Sequence, residues 1–197
     1  MTAFRKLGIA ATLVAATGTG LPAFAQAVPP LVYTVILPAG GFGSNNYTEV
    51  VTGGIAAAQQ FCAELDNESY RVDCLAERLG QIADGIPRNT DYDEVRDILR
   101  DTSDQLENLA RRNRDTSQMR GRATRQATDT SPEIRTSRPL TPVAPQAQAQ
   151  VNQQASAILS NTETLLLRSA SGSESKSQQY SRIAEALGSS KVLLRST

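Results

Sequence analysis

The sequence predicts an all-α protein, with a disulfide-stapled helical hairpin, a long third helix, a disordered linker and two C-terminal helices. Three observations predict this fold class. Apolar residues recur at spacings of three and four along five segments, which is the period of one helix face. Turn and capping residues stand between several of these segments. Two cysteines lie on either side of the first such turn, in a chain that carries an export signal.

The first segment, Met1–Ala25, has the pattern of a secretory signal peptide. Arg5 and Lys6 form a positive start, Leu7–Ala16 is apolar, and Ala23–Ala25 is an A-x-A cleavage site. We therefore expect cleavage after Ala25 and a mature protein that is periplasmic or secreted. No transmembrane helix is expected after cleavage, because no other stretch has roughly 18 consecutive apolar residues.

Residues 26–54 are predicted to form an extended or flexible N-terminal arm. Leu31–Leu37 is short and rich in β-branched residues, as is typical of a strand. A lone strand needs a partner and no second strand is evident, so this run is either a strand or an extended segment lying against helices. Gly53 and Gly54 disfavour a helix, and the first helix is expected to begin near Ile55.

Residues 55–113 are predicted to form a helical domain that begins with the hairpin. Its first helix has one apolar face, which consists of Ile55, Ala58, Cys62 and Leu65. Asp66–Ser69 supply turn and capping residues. The second helix, about Tyr70–Asp84, has an apolar face made of Leu75, Leu79 and Ile82. Gly85 in a left-handed conformation, followed by Pro87, is expected to end it.

Cys62 and Cys74 are predicted to form a disulfide across this hairpin. Paired cysteines in an exported chain are most simply a structural bond, and the two positions are nearly symmetric about the turn. A redox pair would have the C-x-x-C spacing, which is absent here. A metal site would need ligands beyond two thiols, and none is expected.

The third helix is predicted over Asp91–Arg112. Asp91 and Glu94 resemble a capping box at its start. Its apolar residues follow a heptad pattern, made of Tyr92, Val95, Leu99, Thr102, Leu106 and Leu109. The acidic residues of this helix suit a solvated face and a helix N-terminus, rather than a cation site.

The remaining chain is predicted to be a disordered linker over 114–148 and a C-terminal helical segment over 149–197. The linker is rich in Arg, Thr and Pro and has almost no large apolar residue before Leu140. A second heptad-like seam in the helix Gln150–Ala170 consists of Val151, Ala155, Ile158, Thr162 and Leu165. A last helix is expected over Gln178–Leu187, ended by Gly188. The two seams are expected to pack together, within one chain or between chains.

Charge is distributed unevenly along the chain. Residues 46–110 hold 14 acids and 5 arginines, a net charge of −9, whereas residues 111–138 hold 8 arginines and 3 acids, a net charge of +5. Candidate anion-binding residues in the basic block are Arg111, Arg112, Arg114, Arg120, Arg122 and Arg125. The alternative is a solvated linker whose charge is offset by the acidic helices. Nucleic acid is not expected, because the block lacks interleaved aromatic residues and the chain is exported.

We expect no catalytic activity, cofactor or metal site. The chain has no histidine, which is the commonest general base and metal ligand, and no pair of side chains suggests an acid and a base. The leading hypothesis is an exported non-enzymatic helical protein that acts in protein–protein interaction or in envelope or secretion assembly, with a protein partner or a second copy bound through the heptad seams. The alternative is a binding module for an anionic polymer or membrane surface through Arg111–Arg125.

Overall fold

The computed structural model describes residues 45–127 and 132–195. Five α-helices lie in this part of the chain: α1 (Asn45–Ala63), α2 (Arg71–Gly85), α3 (Asp93–Arg112), α4 (Gln148–Ser169) and α5 (Glu174–Arg195). Two short strands, β1 (Thr124–Arg125) and β2 (Ile134–Arg135), pair antiparallel. Single 3₁₀ turns, Glu68–Tyr70 and Pro145–Ala147, precede α2 and α4. The all-α prediction is confirmed. The predicted signal peptide and the Leu31–Leu37 run lie outside the described residues.

The five helices surround one hydrophobic core. Each helix packs against the next in sequence, and α5 returns to pack against α1. Every helix contributes buried side chains to this core, for example Ile55, Leu79, Leu99, Leu159 and Ile183. The predicted C-terminal helices therefore share the core of the first three. No helix in the described part of the chain is long and apolar enough to cross a membrane.

The first helix starts earlier than its glycines suggest. The arm predicted over 26–54 is already helical from Asn45. Tyr47, Val51 and Ile55 are spaced by four residues and all are buried, so they form the inner face of an added stretch of helix. A Cβ at Gly54 would lie 3.4 Å from Ile82, which shows how closely α1 approaches α2. Core packing thus outweighs the helix penalty of about 1 kcal/mol per glycine.

Both ends of the α2–α3 turn differ from the prediction. Gly85 is the last residue of α2, and the left-handed residue of this turn is Asn89, with φ of 61°. The capping box of Asp91 and Glu94 does not form, because α3 begins at Asp93 after Tyr92. Instead, the Asp93 carboxylate accepts a hydrogen bond from the Asn89 backbone N–H at 3.0 Å. The side chain of Asp93, rather than that of Asp91, therefore closes the turn.

The heptad seam of α3 is buried within the chain, against α4 and its neighbours. All six seam residues predicted for α3 are buried, and Thr102 and Thr162 share a hydrogen bond of 2.8 Å across the α3–α4 interface. The register predicted for α4 is wrong at Leu165, whereas Ile158 is partly buried and packs on the core. Leu159 and Leu166 are fully buried, whereas Leu165 is 45% exposed. The α3 seam and the buried positions of α4 are therefore covered by helices of the same chain.

The last helix continues past its predicted end. Gly188 lies inside α5, which runs on to Arg195. Leu193 and Leu194, beyond the glycine, are buried. A Cβ at Gly188 would lie only 3.0 Å from the Glu163 carboxylate. This glycine therefore permits close packing of α4 and α5 and does not act as a cap.

The segment predicted to be a disordered linker is folded against the helices. We call the described residues between α3 and the second 3₁₀ turn, 113–127 and 132–144, the strap. Its two halves pair through the β1–β2 ladder and through bridges of Arg114 with Val143 and of Gly121 with Leu140. Leu140 to Ala144 are all buried. Low apolar content predicts disorder, but most of the large apolar residues in the strap are buried. Several of its polar groups also form hydrogen bonds with the helices, and these contacts together hold the strap in place.

Candidate anion-binding site on the strap

Two buried carboxylates of α2 hold the strap in place. Asp73 is fully buried and accepts hydrogen bonds from both terminal nitrogens of Arg138, each at 2.8 Å. The same carboxylate accepts from the backbone N–H of Thr141 at 2.5 Å. A bidentate arginine bond combines charge with fixed geometry. This contact therefore fixes the position of the chain on both sides of Leu140.

Glu77 forms the second anchor, one helical turn after Asp73. Its carboxylate accepts from the backbone N–H of Ser137 at 2.8 Å and from the Ser137 hydroxyl at 2.9 Å. Arg78 donates from Nε to the other Glu77 oxygen at 2.5 Å and from Nη2 to the Arg135 carbonyl at 3.0 Å. The strap backbone is thus bound by side chains of α2 from Arg135 to Thr141.

The anchoring arginine is held in its charged form. Burial by itself would lower the pKa of the Arg138 guanidinium, but the hydrogen bond with Asp73 and the charges of Asp73, Glu107 and Glu77 raise that pKa. The Glu107 carboxylate lies 3.2 Å from Arg138 Nη2. Arg138 therefore stays charged and links the strap to the helices α2 and α3.

The first part of the strap is fixed by local hydrogen bonds. The Asp115 carboxylate accepts from the backbone N–H and hydroxyl of Ser117 and from the Gln118 side chain, at 2.6 to 2.8 Å. These bonds, with that of the Ser117 hydroxyl the strongest, lower the pKa of Asp115. Tyr70 then donates its hydroxyl proton to the Met119 carbonyl at 2.6 Å. The chain entering the ribbon is therefore constrained.

The two strands form a ribbon with one face toward the helices and one toward solvent. Ala123, Ile134 and Thr136 are partly or fully buried, whereas Arg122, Thr124 and Arg135 are exposed. This alternation is the two-residue period of a strand. Thr124 pairs directly with Arg135, which makes Arg122 and Arg135 diagonal cross-strand neighbours, with Cβ atoms about 7 Å apart. The outer face of the ribbon is positive overall, since it carries Arg122 and Arg135 and one exposed acid, Glu133.

The predicted arginines divide into three groups. Arg111 pairs with Glu107 at 2.6 Å and Arg125 lies 3.8 Å from Glu64, so both are offset by acids of this chain. Arg122 donates from Nη1 to the carbonyls of Thr136 and Ser137, at 3.2 and 2.7 Å, which holds its charged head at the ribbon surface. The other three predicted arginines are Arg112, Arg114 and Arg120, which are exposed and form no ion pair or side-chain hydrogen bond within the described residues.

One arginine of this surface, Arg135, is absent from the sequence prediction. It lies outside the run that ends at Arg125, and strand pairing brings it beside Arg122. A signal for this pairing exists in the sequence. Two short alternating stretches around Ala123 and Ile134 flank the turn-forming residues Asp129–Pro132, a pattern typical of a hairpin.

The disulfide lies beneath the ribbon. Cys62 and Cys74 are bonded, with Cα atoms 5.8 Å apart, which confirms the prediction. Both cysteines are fully buried and form a small hydrophobic cluster with Phe61, Leu140 and Leu193, against which Ala123 and Ile134 pack. The staple of the α1–α2 hairpin is therefore also the support of the strap.

No protein-family model, curated protein or solved structure matches this sequence. What the ribbon can bind is therefore inferred from its own side chains. Guanidinium groups are planar, permanently charged and suited to bidentate contact with phosphate or carboxylate oxygens. Described strap residues comprise six arginines and two acids, and one of those acids, Asp115, is bonded within the strap. The arrangement can bind an anion at the surface.

Proposed function

We propose that this is an exported, non-enzymatic binding protein, whose helical scaffold presents the basic ribbon to an anionic partner. The observation that carries the proposal is the exposed pair Arg122 and Arg135 on a ribbon anchored by Asp73 and Glu77. A fixed ribbon loses little conformational entropy on binding, so its arginines are preorganised. The predicted signal peptide and the disulfide are what we expect of a protein that functions in an oxidising compartment outside the cytoplasm.

The ligand chemistry that fits is a surface with repeated phosphate or carboxylate groups. Arg122 and Arg135 are neighbours across the ribbon, while the exposed Arg120 extends the positive charge along the chain. Several separated charges suit an extended anionic partner better than a single small anion. Two sources supply such a surface in the predicted compartment: lipid head groups and an anionic envelope polymer.

The test compares a ribbon variant with a variant that removes equal charge elsewhere. Arg122→Gln/Arg135→Gln should lower retention on anionic phospholipid vesicles or on an immobilised anionic polysaccharide. Each surface arginine contributes about 1 kcal/mol, so the loss should be about 30-fold. Arg168→Gln/Arg182→Gln, on exposed positions of α4 and α5, is the control and should change retention far less.

Comparing the two supports identifies the source of the anion. Loss on vesicles alone indicates a membrane surface, and loss on the polysaccharide alone indicates an envelope polymer. Binding should also weaken as salt concentration rises, because exposed charges are screened. The proposal fails if the ribbon variant and its control bind equally, or if the unchanged protein binds neither support above neutral vesicles.

A further inference from the structure

We propose that the strap gates the Cys62–Cys74 disulfide, so that the bond exchanges with thiols only when the strap lifts from the helices. This inference is independent of the ligand that the ribbon binds. It concerns the inner face of the strap, whereas anion binding concerns its outer face. Three features carry it: the burial of the bond, the residues that cover it and the latch that holds the cover.

The disulfide is closed off from solvent in the described structure. Both cysteines have a relative exposure of 0%. A thiolate must contact one sulfur directly to displace the other, and that contact is blocked in the closed state. Phe61 of α1 and Leu193 of α5 belong to the same hydrophobic cluster and help to cover the bond.

The strap is the part of this cover that is not helical. Leu140 is buried against the disulfide, and Ala123 and Ile134 pack on the same cluster. Removing this cover does not require any of the five helices to unfold. Uncovering the sulfurs therefore needs only a local opening, of the kind that folded proteins undergo more often than complete unfolding.

Asp73 is the latch of the strap. It directly precedes Cys74 on α2, and its bonds to Arg138 and to the Thr141 N–H hold the chain on both sides of Leu140. Two backbone bonds close the next part of the strap: Asp115 N–H to the Pro142 carbonyl at 2.8 Å, and Val143 N–H to the Ser69 carbonyl at 2.9 Å. Lifting Leu140 away from the disulfide breaks the Asp73 bonds first.

The exchange that this latch controls is ordinary dithiol chemistry. A thiolate of a dithiol reductant attacks one cysteine sulfur, the S–S bond breaks, and the other sulfur leaves as a thiolate and takes up a proton. The second thiolate of the reductant then attacks the mixed disulfide, which releases the first cysteine. The reductant becomes a disulfide, and two electrons and two protons reach Cys62 and Cys74. The same steps in reverse form the bond, so oxidation must precede closure of the strap.

The experiment measures the rate of reduction by dithiothreitol under native conditions, with released thiols trapped by alkylation and counted by mass spectrometry. Asp73→Asn removes the buried charge that pairs with Arg138, and Leu140→Ala removes a buried side chain of the cover, so each should raise the rate about 10-fold or more. Asp101→Asn and Leu165→Ala make the same chemical changes at exposed positions of α3 and α4. These controls should reduce at nearly the rate of the unchanged protein.

The urea dependence of the reduction rate separates local opening from unfolding. Local opening exposes little surface, so the reduction rate should rise with urea much less steeply than the unfolding equilibrium followed by circular dichroism. An equally steep dependence would show that only global unfolding exposes the bond, and the proposal would be wrong. It would also be wrong if Asp73→Asn and Leu140→Ala, while still folded, were reduced no faster than their controls.

Discussion

Three tyrosines lie buried at the end of the bundle where α1, α3 and α5 begin. The rings of Tyr47 and Tyr92 are 4.0 Å apart between centroids. Tyr92 donates its hydroxyl proton to the Gln179 side chain at 2.8 Å. The Tyr180 hydroxyl lies 3.4 Å from the Glu94 carboxylate, which also pairs with Lys176. Because these hydroxyls are removed from water, their neutral forms are favoured.

This burial predicts a loss of stability at alkaline pH. Desolvation, followed by the neighbouring Tyr92, raises the pKa of Tyr47 from 10.0 to about 12, and burial also raises the pKa values of Tyr92 and Tyr180. Between these two pH values the unfolded chain loses the Tyr47 proton and the folded chain keeps it. The contribution of Tyr47 to the free energy of unfolding should therefore be constant below about pH 10 and fall above it.

Urea unfolding at several alkaline pH values, followed by circular dichroism, measures this effect. Tyr47→Phe removes one ionising group and should make the decline shallower than in the unchanged protein. A spectroscopic titration of tyrosinate provides a direct reading. A Tyr47→Phe variant whose stability declines as steeply as that of the unchanged protein would show that Tyr47 is not one of the groups responsible.

At the scale of the element, α4 shows how packing selects one of two neighbouring faces. Its sequence contains Leu165, Leu166 and Leu167 in a row, so spacing alone permits more than one register. The heptad pattern favours Leu165, but the contacts with α3 and α5 turn Leu166 inward and leave Leu165 exposed. Thr162 faces α3 in either register, where its hydroxyl shares a hydrogen bond with Thr102, so the choice between the neighbouring leucines is made by core packing.

Paired substitutions test this register. Leu166→Ala should lower the free energy of unfolding by about 2–5 kcal/mol, since it removes a fully buried side chain and leaves a cavity. Leu165→Ala should change it by no more than about 0.5 kcal/mol, as is usual at exposed positions. Chemical denaturation of both variants provides the measurement. Equal losses, or a larger loss at Leu165, would contradict the register.

For the whole molecule, the disulfide and the strap connect parts that are far apart in sequence. The bond joins α1 to α2 over 12 residues, and the strap then ties α2 to the chain that follows α3, through Asp73 and Arg138 at a separation of 65 residues. The core of five helices closes only when α5 packs on α1. Of these connections only the covalent disulfide persists after unfolding, and it lowers the conformational entropy of the unfolded chain, in the loop-closure description.

Removal of the disulfide should therefore weaken the whole fold. Cys62→Ala/Cys74→Ala is expected to lose about 3 kcal/mol, which corresponds to a decrease of about 6–12 °C in melting temperature for a chain of this size. Calorimetry of the double variant and of the oxidised protein gives the difference. An unchanged melting temperature would mean that the strap and the core hold the hairpin without the bond.

Sequence periodicity by itself determined the helices, because their apolar spacing is a local property of the backbone. It also determined the disulfide, since two cysteines placed symmetrically about a short turn have few alternatives. Only the tertiary structure decided the start of α1, the register of α4 and the folded state of the strap. Each depends on partners distant in sequence: Ile82 beside Gly54, Thr102 beside Thr162, and Asp73 beneath Arg138.

The candidate site shows the same division. Composition alone identified a basic block, but it could not separate Arg111 and Arg125, which pair with acids, from Arg122, which faces solvent. It also did not single out Arg135 within that block as a member of this surface, because strand register is set by pairing across the hairpin and by the buried anchors on α2. Local chemistry thus indicated the charge of this surface, and long-range hydrogen bonds decided which arginines form it.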